Sequence, residues 1–117
     1  MKQPDNFDHI TKLYRLLSPE EWANFQKAKI YHGSSFDRGT GFLHFSMSEQ
    51  VKHIAEKFFG TAGHIIIVEI TRSKLKKEKL IFEKNTPTGE TYPHYYGSLH
   101  LKNVKQIFEG LTSEIKL

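Results

Sequence analysis

The chain has 117 residues, a formal net charge of +4 and no cysteine. This length fits a single domain spanning residues 1–117, and we expect its core at about 11–110, after a loose N-terminal arm at 1–10. The absence of cysteine excludes disulfides, thiolate nucleophiles and zinc sites that use sulfur. The N-terminus lacks the apolar segment of a signal peptide, and the longest apolar run, at 65–68, is too short to cross a bilayer. We therefore expect a cytoplasmic protein that makes no membrane contact.

Runs rich in β-branched and aromatic residues predict six strands along the chain. They lie at 11–17, 30–32, 42–46, 64–72, 79–84 and 104–108. The run HIIIVEITR at 64–72 is apolar without alternation, which is typical of a central strand buried on both faces.

A first helix is predicted directly after the first strand, because the segment SPEEW carries a complete start signal. Ser18 can cap the helix, Pro19 fits its first position, and Glu21 completes a capping box. Trp22 and Phe25 lie three residues apart and share the face that we expect to be buried.

A second helix is predicted at 49–59, with Ser48 as its N-cap and Gly60 as its C-cap. Turn-forming residues predict a loop at 33–41 and a long loop at 85–98. The fold class expected from these elements is α+β, with two small bent antiparallel or mixed sheets and two main helices.

Polar side chains interrupt strands that otherwise have the composition of a core. They are Arg15, His44, Ser46 and Glu83. Alternate residues of a strand share a face, so Phe42, His44 and Ser46 point the same way. A charged group at such a position needs a partner or a water-filled cleft. These side chains therefore predict either one shared pocket or, alternatively, structural ion pairs and an exposed strand face.

The segment TYPHYYG, at 91–97, is a second candidate for the site. Its histidine, His94, could donate a hydrogen bond to a ligand, while Tyr95 or Tyr96 could stack on a ring. The alternative is an aromatic loop that only packs.

Other signals are weaker. The segment YHGSSFDRG, at 31–39, has the small residues of a phosphate-binding turn, although it also fits a plain connecting loop. The lysines at 74, 76, 77 and 79 fit a solvated turn, and no aromatic residues interleave them, so we expect no nucleic-acid partner. The seven histidines show no metal-ligand spacing, and we expect no metal site.

At three separated segments the chain resembles the bacterial family known as domain of unknown function 952. The segments are LYRLLSPEEW (13–22), GFLHFSMSEQV (41–51) and YPHYYGSL (92–99). Phe58-Phe59, the strand at 65–70 and Glu83 extend the resemblance over about 13–108. The chain departs from the family pattern at Arg15, where Lys or His is commoner, and at Lys84 and Ser98, where the family has proline.

The resemblance implies an ADP-ribosyltransferase-like fold, in which NAD binds in a cleft between two bent antiparallel sheets. It implies cofactor or substrate contacts for Tyr14, Arg15, His44, Ser46 and Tyr96. The catalytic residues that it implies are Ser46, to brace the site, and Glu83 or His94, to stabilise the positive charge that develops at the ribose. A shared fold does not guarantee shared chemistry.

Three functions remain open from the sequence. The first is a transferase or hydrolase that acts on NAD or a related nucleotide, with NAD as a substrate rather than a resident cofactor. The second is a non-catalytic module that binds a nucleotide or a sugar phosphate. The third is an RNA-binding or RNA 2′-phosphate-transferring protein.

Overall fold

The structure, a computed structural model, describes residues 7–60 and 63–115. Its strands are β1 (Lys12–Leu17), β2 (Ile30–Tyr31), β3 (Leu43–His44), β4 (His64–Thr71), β5 (Leu80–Lys84), β6 (Thr91–Tyr95), β7 (Leu99–His100) and β8 (Val104–Leu111). Its α-helices are α1 (Pro19–Ala28), α2 (Ser35–Thr40) and α3 (Val51–Phe59). The expected mixed architecture of small antiparallel sheets and few helices is confirmed, but the described residues form three sheets rather than the expected two.

The largest buried strand, β4, is central in its sheet, as its apolar run predicts. The strand order is β1-β4-β8, and both pairings are antiparallel. The residues from Ile65 to Ile70 are all buried. Even-numbered residues of β4 pack into one apolar cluster with Phe25 and Phe45, while Ile65 and Ile67 pack into a second cluster under α3.

A second three-stranded antiparallel sheet has the order β3-β6-β5. It meets the first sheet where Tyr14 and Ser46 exchange backbone hydrogen bonds of 2.9 and 2.8 Å. Because β1 and the segment after β3 are joined at this bridge, the ends of the two sheets are fixed next to each other. The remaining short strands, β2 and β7, form a separate antiparallel pair.

The first helix begins as its sequence predicts. The Ser18 side chain accepts a hydrogen bond from the backbone of Glu21, and the Glu21 side chain accepts one from the backbone of Ser18. Phe25 is buried, and Trp22 packs edge-on against it with ring centroids 5.6 Å apart. At the end of α3, Gly60 forms the expected C-cap with a φ of 72°.

The loop expected at 33–41 is wrong, because the segment contains the short helix α2. Ser34 is its N-cap and Asp37 completes a capping box, while Gly41 ends the helix with a φ of 93°. The residues that indicated a turn are therefore the caps of a helix. The expectation of two main helices misses this third one.

The long loop expected at 85–98 is also wrong, because it contains β6 and the start of β7 lies just after it. Pro93 argued against a strand, since proline has no N–H to donate to a neighbour. In β6 its carbonyl still accepts a hydrogen bond of 3.0 Å from the backbone of Phe45. The central position of β6 is thus compatible with proline at one residue of the ladder.

Smaller boundaries differ as well. Ser48 does not cap α3 but begins a 3-10 turn, Ser48–Gln50, that leads into it. The strand expected at 42–46 is shorter, with β3 limited to two residues. Most of the expected N-terminal arm, at 1–6, lies outside the described residues, whereas Phe7 stacks on Phe82 with ring centroids 4.8 Å apart.

No helix in the described ranges is both long enough and apolar enough to pass through a bilayer.

Candidate functional site

A cleft with a volume of about 800 Å³ opens beside the sheet β3-β6-β5. Helices α2 and α3 and the segment between β5 and β6 contribute to its walls. Five side chains predicted for the site line this one cleft: His44, Ser46, Glu83, His94 and Tyr96. Residues from three distant parts of the sequence are therefore brought together, as the shared-pocket interpretation requires.

The strand register explains how the two histidines meet. In the β3–β6 pairing His44 lies directly opposite His94, and their ring centroids are 5.5 Å apart. The ring of Phe42 stacks on His94 at a centroid distance of 4.0 Å. Leu43 and Phe45, the alternate residues, are buried in the core, as strand alternation predicts.

Glu83 accepts hydrogen bonds from two site residues of the segment 91–97, His94 and Tyr96. Its Oε1 atom accepts a hydrogen bond of 2.8 Å from Nδ1 of His94 and a short one from the hydroxyl of Tyr96. Because an ionised carboxylate only accepts hydrogen bonds, Nδ1 of His94 carries the proton. The other ring nitrogen, Nε2, is buried and has no hydrogen-bond partner in the described part of the chain. With the ring proton on Nδ1, Nε2 of the neutral imidazole is a hydrogen-bond acceptor that no described residue pairs with.

The ionisation states follow from the surroundings. Burial lowers the pKa of His94 below its usual value, and the hydrogen bond to Glu83 opposes this shift only in part. Burial raises the pKa of Glu83, but the hydrogen bonds from Tyr96 and His94 outweigh burial and bring it below its ordinary value. At neutral pH the pair is therefore a neutral imidazole that donates a hydrogen bond from Nδ1–H to an ionised carboxylate.

Arg15 does not offer a free guanidinium to the cleft, because it is held by an ion pair. Its Nη1 atom lies 2.7 Å from Oδ1 of Asp37, and its Nη2 atom donates a 2.8 Å hydrogen bond to the hydroxyl of Tyr31. A further bond of 3.2 Å reaches the backbone carbonyl of His44. At this position the alternative of a structural ion pair describes the arrangement.

Asp37 is the site residue that sequence reasoning missed. It is 1% exposed, and its Oδ1 atom also accepts hydrogen bonds from Nδ1 of His44 at 2.8 Å and from the His44 backbone at 3.0 Å. Burial alone would raise the pKa of Asp37, but the hydrogen bonds from His44 and Arg15 hold it far below its ordinary range. The capping box of Ser34 and Asp37 was the signal that could have revealed it.

The site therefore contains two carboxylate–histidine pairs side by side, Asp37 with His44 and Glu83 with His94. In each pair the carboxylate is hydrogen-bonded to Nδ1 of the histidine, so Nε2 is the ring nitrogen that the carboxylate does not contact. A carboxylate that binds Nδ1 fixes the tautomer and the orientation of the imidazole. Both rings are thus oriented by the protein before any ligand arrives.

Tyr14 lies outside the cleft, which corrects its expected place in a ligand pocket. It neighbours Arg15 on β1, so its side chain points to the opposite face of the strand. It is buried in the apolar cluster under α3, and its hydroxyl donates a 3.5 Å hydrogen bond to Glu69. Ser46 remains at the cleft, and its backbone forms the bridge to β1.

Aromatic side chains that the sequence did not single out surround the polar base of the cleft. Phe36 and Phe58 are each 59% exposed, and Phe36 stacks on the ring of His44 at 4.4 Å. Lys57, whose ammonium lies 5.4 Å from the centroid of Phe58, and Lys84 add positive charge to the lining. This combination fits a ligand that has a planar ring and a negative group.

In the segment 31–39, the carboxylate of Asp37 takes the backbone hydrogen bond that a phosphate-binding turn would offer to its ligand. The backbone N–H of Ser34 donates a 2.7 Å hydrogen bond to Oδ2 of Asp37, at the point where a phosphate would need such donors. No group of three or more potential metal ligands occurs among the residues that the structure describes.

Comparison with known proteins gives the chain a family. The sequence model described as protein of unknown function, DUF952, matches residues 16–107. The chain belongs to the DUF952 family. The X-ray structure of protein CC0527 from Caulobacter crescentus has a TM-score of 0.74 at 30% sequence identity and covers 85% of each chain. The solution NMR structure of CC0527 has a TM-score of 0.72 at 29% identity, over 84% of this chain and 83% of that chain. A search of curated proteins gave no match.

The DUF952 match includes the cleft residues His44, Ser46, Glu83, His94 and Tyr96. Asp37 also lies within the matched range, whereas Tyr14 and Arg15 precede it. The expected membership of this family is confirmed, and the family itself carries no stated function.

Proposed function

We propose that this DUF952 protein binds a nucleotide in the cleft and cleaves its glycosidic bond, with NAD or a related nucleotide as the substrate. The ribosyl group is transferred to water or to another acceptor. The single observation that carries the proposal is the pairing of ionised Glu83 with neutral His94, whose Nε2 atom has no partner in the described chain. Both groups lie in a cleft with aromatic walls.

The chemistry assigns one task to each group. As the bond between ribose and the base breaks, its electron pair leaves with the base and positive charge develops on the ribose. The Glu83 carboxylate stabilises that charge electrostatically, as carboxylates do in glycoside cleavage. The acceptor hydroxyl then forms the new bond, and its proton passes to Nε2 of His94, which acts as the general base. Because Nε2 is buried, this step requires the aromatic rings around His94 to move aside when the acceptor binds.

Nucleotide recognition uses other residues of the same cleft. Phe36, Phe58 or Tyr96 stacks on the base or on the nicotinamide ring. Lys57 and Lys84 contact the phosphates, because Arg15 is already neutralised by Asp37. Arg15 is therefore a positioning residue, which holds Asp37 and through it His44.

An ADP-ribosyltransferase-like fold is part of this proposal. Two features support it: the sheets are small and antiparallel, and they are joined at the Tyr14–Ser46 bridge next to the cleft. In such an arrangement Ser46 braces the site from the segment directly after β3, at its bridge to Tyr14.

A non-catalytic module that binds a nucleotide or a sugar phosphate is the second candidate. The observation that favours it is the engagement of Glu83, whose Oε1 atom already accepts two hydrogen bonds. A carboxylate that serves only to orient His94 and Tyr96 would hold a ligand without cleaving it.

The test is an assay for the release of nicotinamide from NAD. The reaction is run with water alone and with several nucleophilic acceptors, and nicotinamide is measured by chromatography. We expect turnover above a buffer control, and we expect Glu83→Gln to reduce it by about 100–1000-fold, the typical loss of one electrostatic contact in a transition state. Glu56→Gln, an exposed change of the same chemistry on α3, is the matched control and leaves turnover unchanged.

Two outcomes would count against cleavage. If NAD raises the melting temperature of the protein but is not consumed with any acceptor, the binding module is correct instead. If Glu83→Gln and Glu56→Gln retain equal turnover, the carboxylate has no role in the reaction.

A further inference from the structure

A second cavity, with a volume of about 570 Å³, lies on the other face of β6 from the cleft. Tyr95 contributes to its wall, whereas the preceding residue, His94, lines the cleft. Because adjacent residues of a strand point to opposite faces, the two cavities are separate. A ligand in one of them does not contact the catalytic groups of the other.

The lining of this basic cavity carries charge of one sign. Its charged and polar side chains include Lys74, Lys76, Lys79, His100, Lys102 and Asn103. They come from two separate parts of the chain, one at the consecutive 3-10 turns Arg72–Lys74 and Lys77–Lys79 and the other at the 3-10 turn Leu101–Asn103. No aspartate or glutamate of residues 7–60 and 63–115 lines the cavity.

The four lysines of the basic cavity form no ion pair with any described residue, because none of them lies within ion-pair distance of a carboxylate in that part of the chain. Lysines that converge on one concave surface repel one another, and a bound anion removes that repulsion. The fold therefore keeps four positive groups around one open concave surface that has no counter-charge among the described residues.

The wall composition indicates which anion fits. A nucleic acid would require exposed aromatic faces on which its bases could stack. Tyr95 is only 4% exposed, and its hydroxyl accepts a hydrogen bond from the backbone of Lys76. Ser98 and Asn103 instead supply hydrogen-bonding groups of the kind that contact phosphate oxygens.

We propose that the basic cavity binds a compact anion with several phosphates, namely a di- or triphosphate group, either free or attached to a nucleoside. Four ammonium groups match the charge of such a group more closely than the charge of a single phosphate or sulfate. The site is independent of the cleft and of the reaction proposed there.

The experiment is isothermal titration calorimetry of the full chain with inorganic triphosphate at constant ionic strength, with sulfate as the comparison anion. We expect saturable binding of one triphosphate per chain, tighter than the binding of sulfate. Lys76→Gln and Lys102→Gln should each weaken binding roughly 3–10-fold, in line with charge-assisted contacts that are partly exposed. Both side chains are exposed, so neither change threatens folding.

Two controls separate this site from general surface charge and from the cleft. Lys52→Gln removes the same charge from an exposed position on α3 and should leave the affinity unchanged. Glu83→Gln, which alters the cleft, should also leave it unchanged. A parallel titration with a nucleoside triphosphate distinguishes the two sources, because only binding that Lys102→Gln weakens belongs to the basic cavity rather than to the cleft. Equal affinity of that component indicates a free oligophosphate, and clearly tighter binding of it indicates a nucleotide.

Three results would overturn the proposal. The first is an absence of saturation with triphosphate. The second is equal weakening by Lys52→Gln and Lys102→Gln, which would indicate net charge alone. The third is tighter binding of a single-stranded oligonucleotide through the same lysines, which would make this face a nucleic-acid surface.

Discussion

One buried carboxylate oxygen, Oδ1 of Asp37, accepts hydrogen bonds from the guanidinium of Arg15 and from both the ring and the backbone of His44. Removing its charge leaves the guanidinium of Arg15 without a counter-ion at a mostly buried position. We expect Asp37→Asn to lower the free energy of unfolding by about 3–5 kcal/mol at neutral pH, the usual cost of breaking a buried ion pair. Urea unfolding measures this change, and Glu56→Gln is the exposed control.

The ion pair of Asp37 and Arg15 also predicts how the free energy of unfolding changes with pH. The pKa of Asp37 is lowered on folding, so its stabilising contribution is complete above its ordinary value of 3.8 and is lost as the pH falls below it. The wild type should therefore lose stability between neutral pH and pH 3 more steeply than Asp37→Asn. If the free energies of unfolding of the two proteins change in parallel over this range, folding does not lower the pKa of Asp37.

Whether a site residue could be predicted from the sequence depended on how much it differs from its neighbours in the sequence. His44, Ser46 and Glu83 were identified because a polar side chain on an apolar strand stands out against its neighbours. Asp37 did not stand out, because it lies among serines and glycines where an aspartate is ordinary. The partner of Arg15 is 22 residues away in sequence, and nothing local indicates such a contact.

Among the elements, the six-residue helix α2 matters for the site because it carries Asp37, which orients His44. Ser34 caps it, and its hydroxyl also donates a 2.8 Å hydrogen bond to Oδ2 of Asp37. We expect Ser34→Ala to cost about 1 kcal/mol of stability, as the loss of an N-cap does. We also expect it to reduce NAD turnover several-fold, since Asp37 then holds His44 less firmly.

Ser18→Ala is the matched control for that prediction, because Ser18 caps α1 with the same capping box. Thermal unfolding should show a similar loss of stability in both variants, whereas turnover should fall only in Ser34→Ala. An equal loss of turnover in the two variants would mean that α2 does not position the site.

Elements with a strong local signal were predictable, and those fixed by long-range pairing were not. The β-branched run of β4 and the capping box of α1 identified both elements correctly. β6 was missed because Pro93 is a local argument against a strand, and only its pairing with β3 and β5 overrides that argument. β3 was predicted too long, since Phe45 and Ser46 hydrogen-bond to two different strands rather than continuing one ladder.

At the scale of the whole molecule, β6 separates two cavities of different character. The cleft is lined by two glutamates, three histidines, two lysines and several aromatic rings, whereas the basic cavity has four lysines and no carboxylate among the described residues. The excess positive charge of the chain is thus concentrated partly at one place rather than spread evenly. The sequence indicated the lysine run but not the convergence of Lys102 with it, which depends on the pairing of β4 with β8, where Ile70 lies opposite Val104.

The most direct test of the central claim is an NMR titration of the isotope-labelled chain with NAD, in which backbone amide shifts are followed residue by residue. The account predicts saturable shifts at His44, Glu83, His94 and Tyr96, with the amides of β8 unaffected. Shifts confined to Ser98 and Asn103, or no saturable shifts, would contradict the claim that the cleft is the nucleotide site.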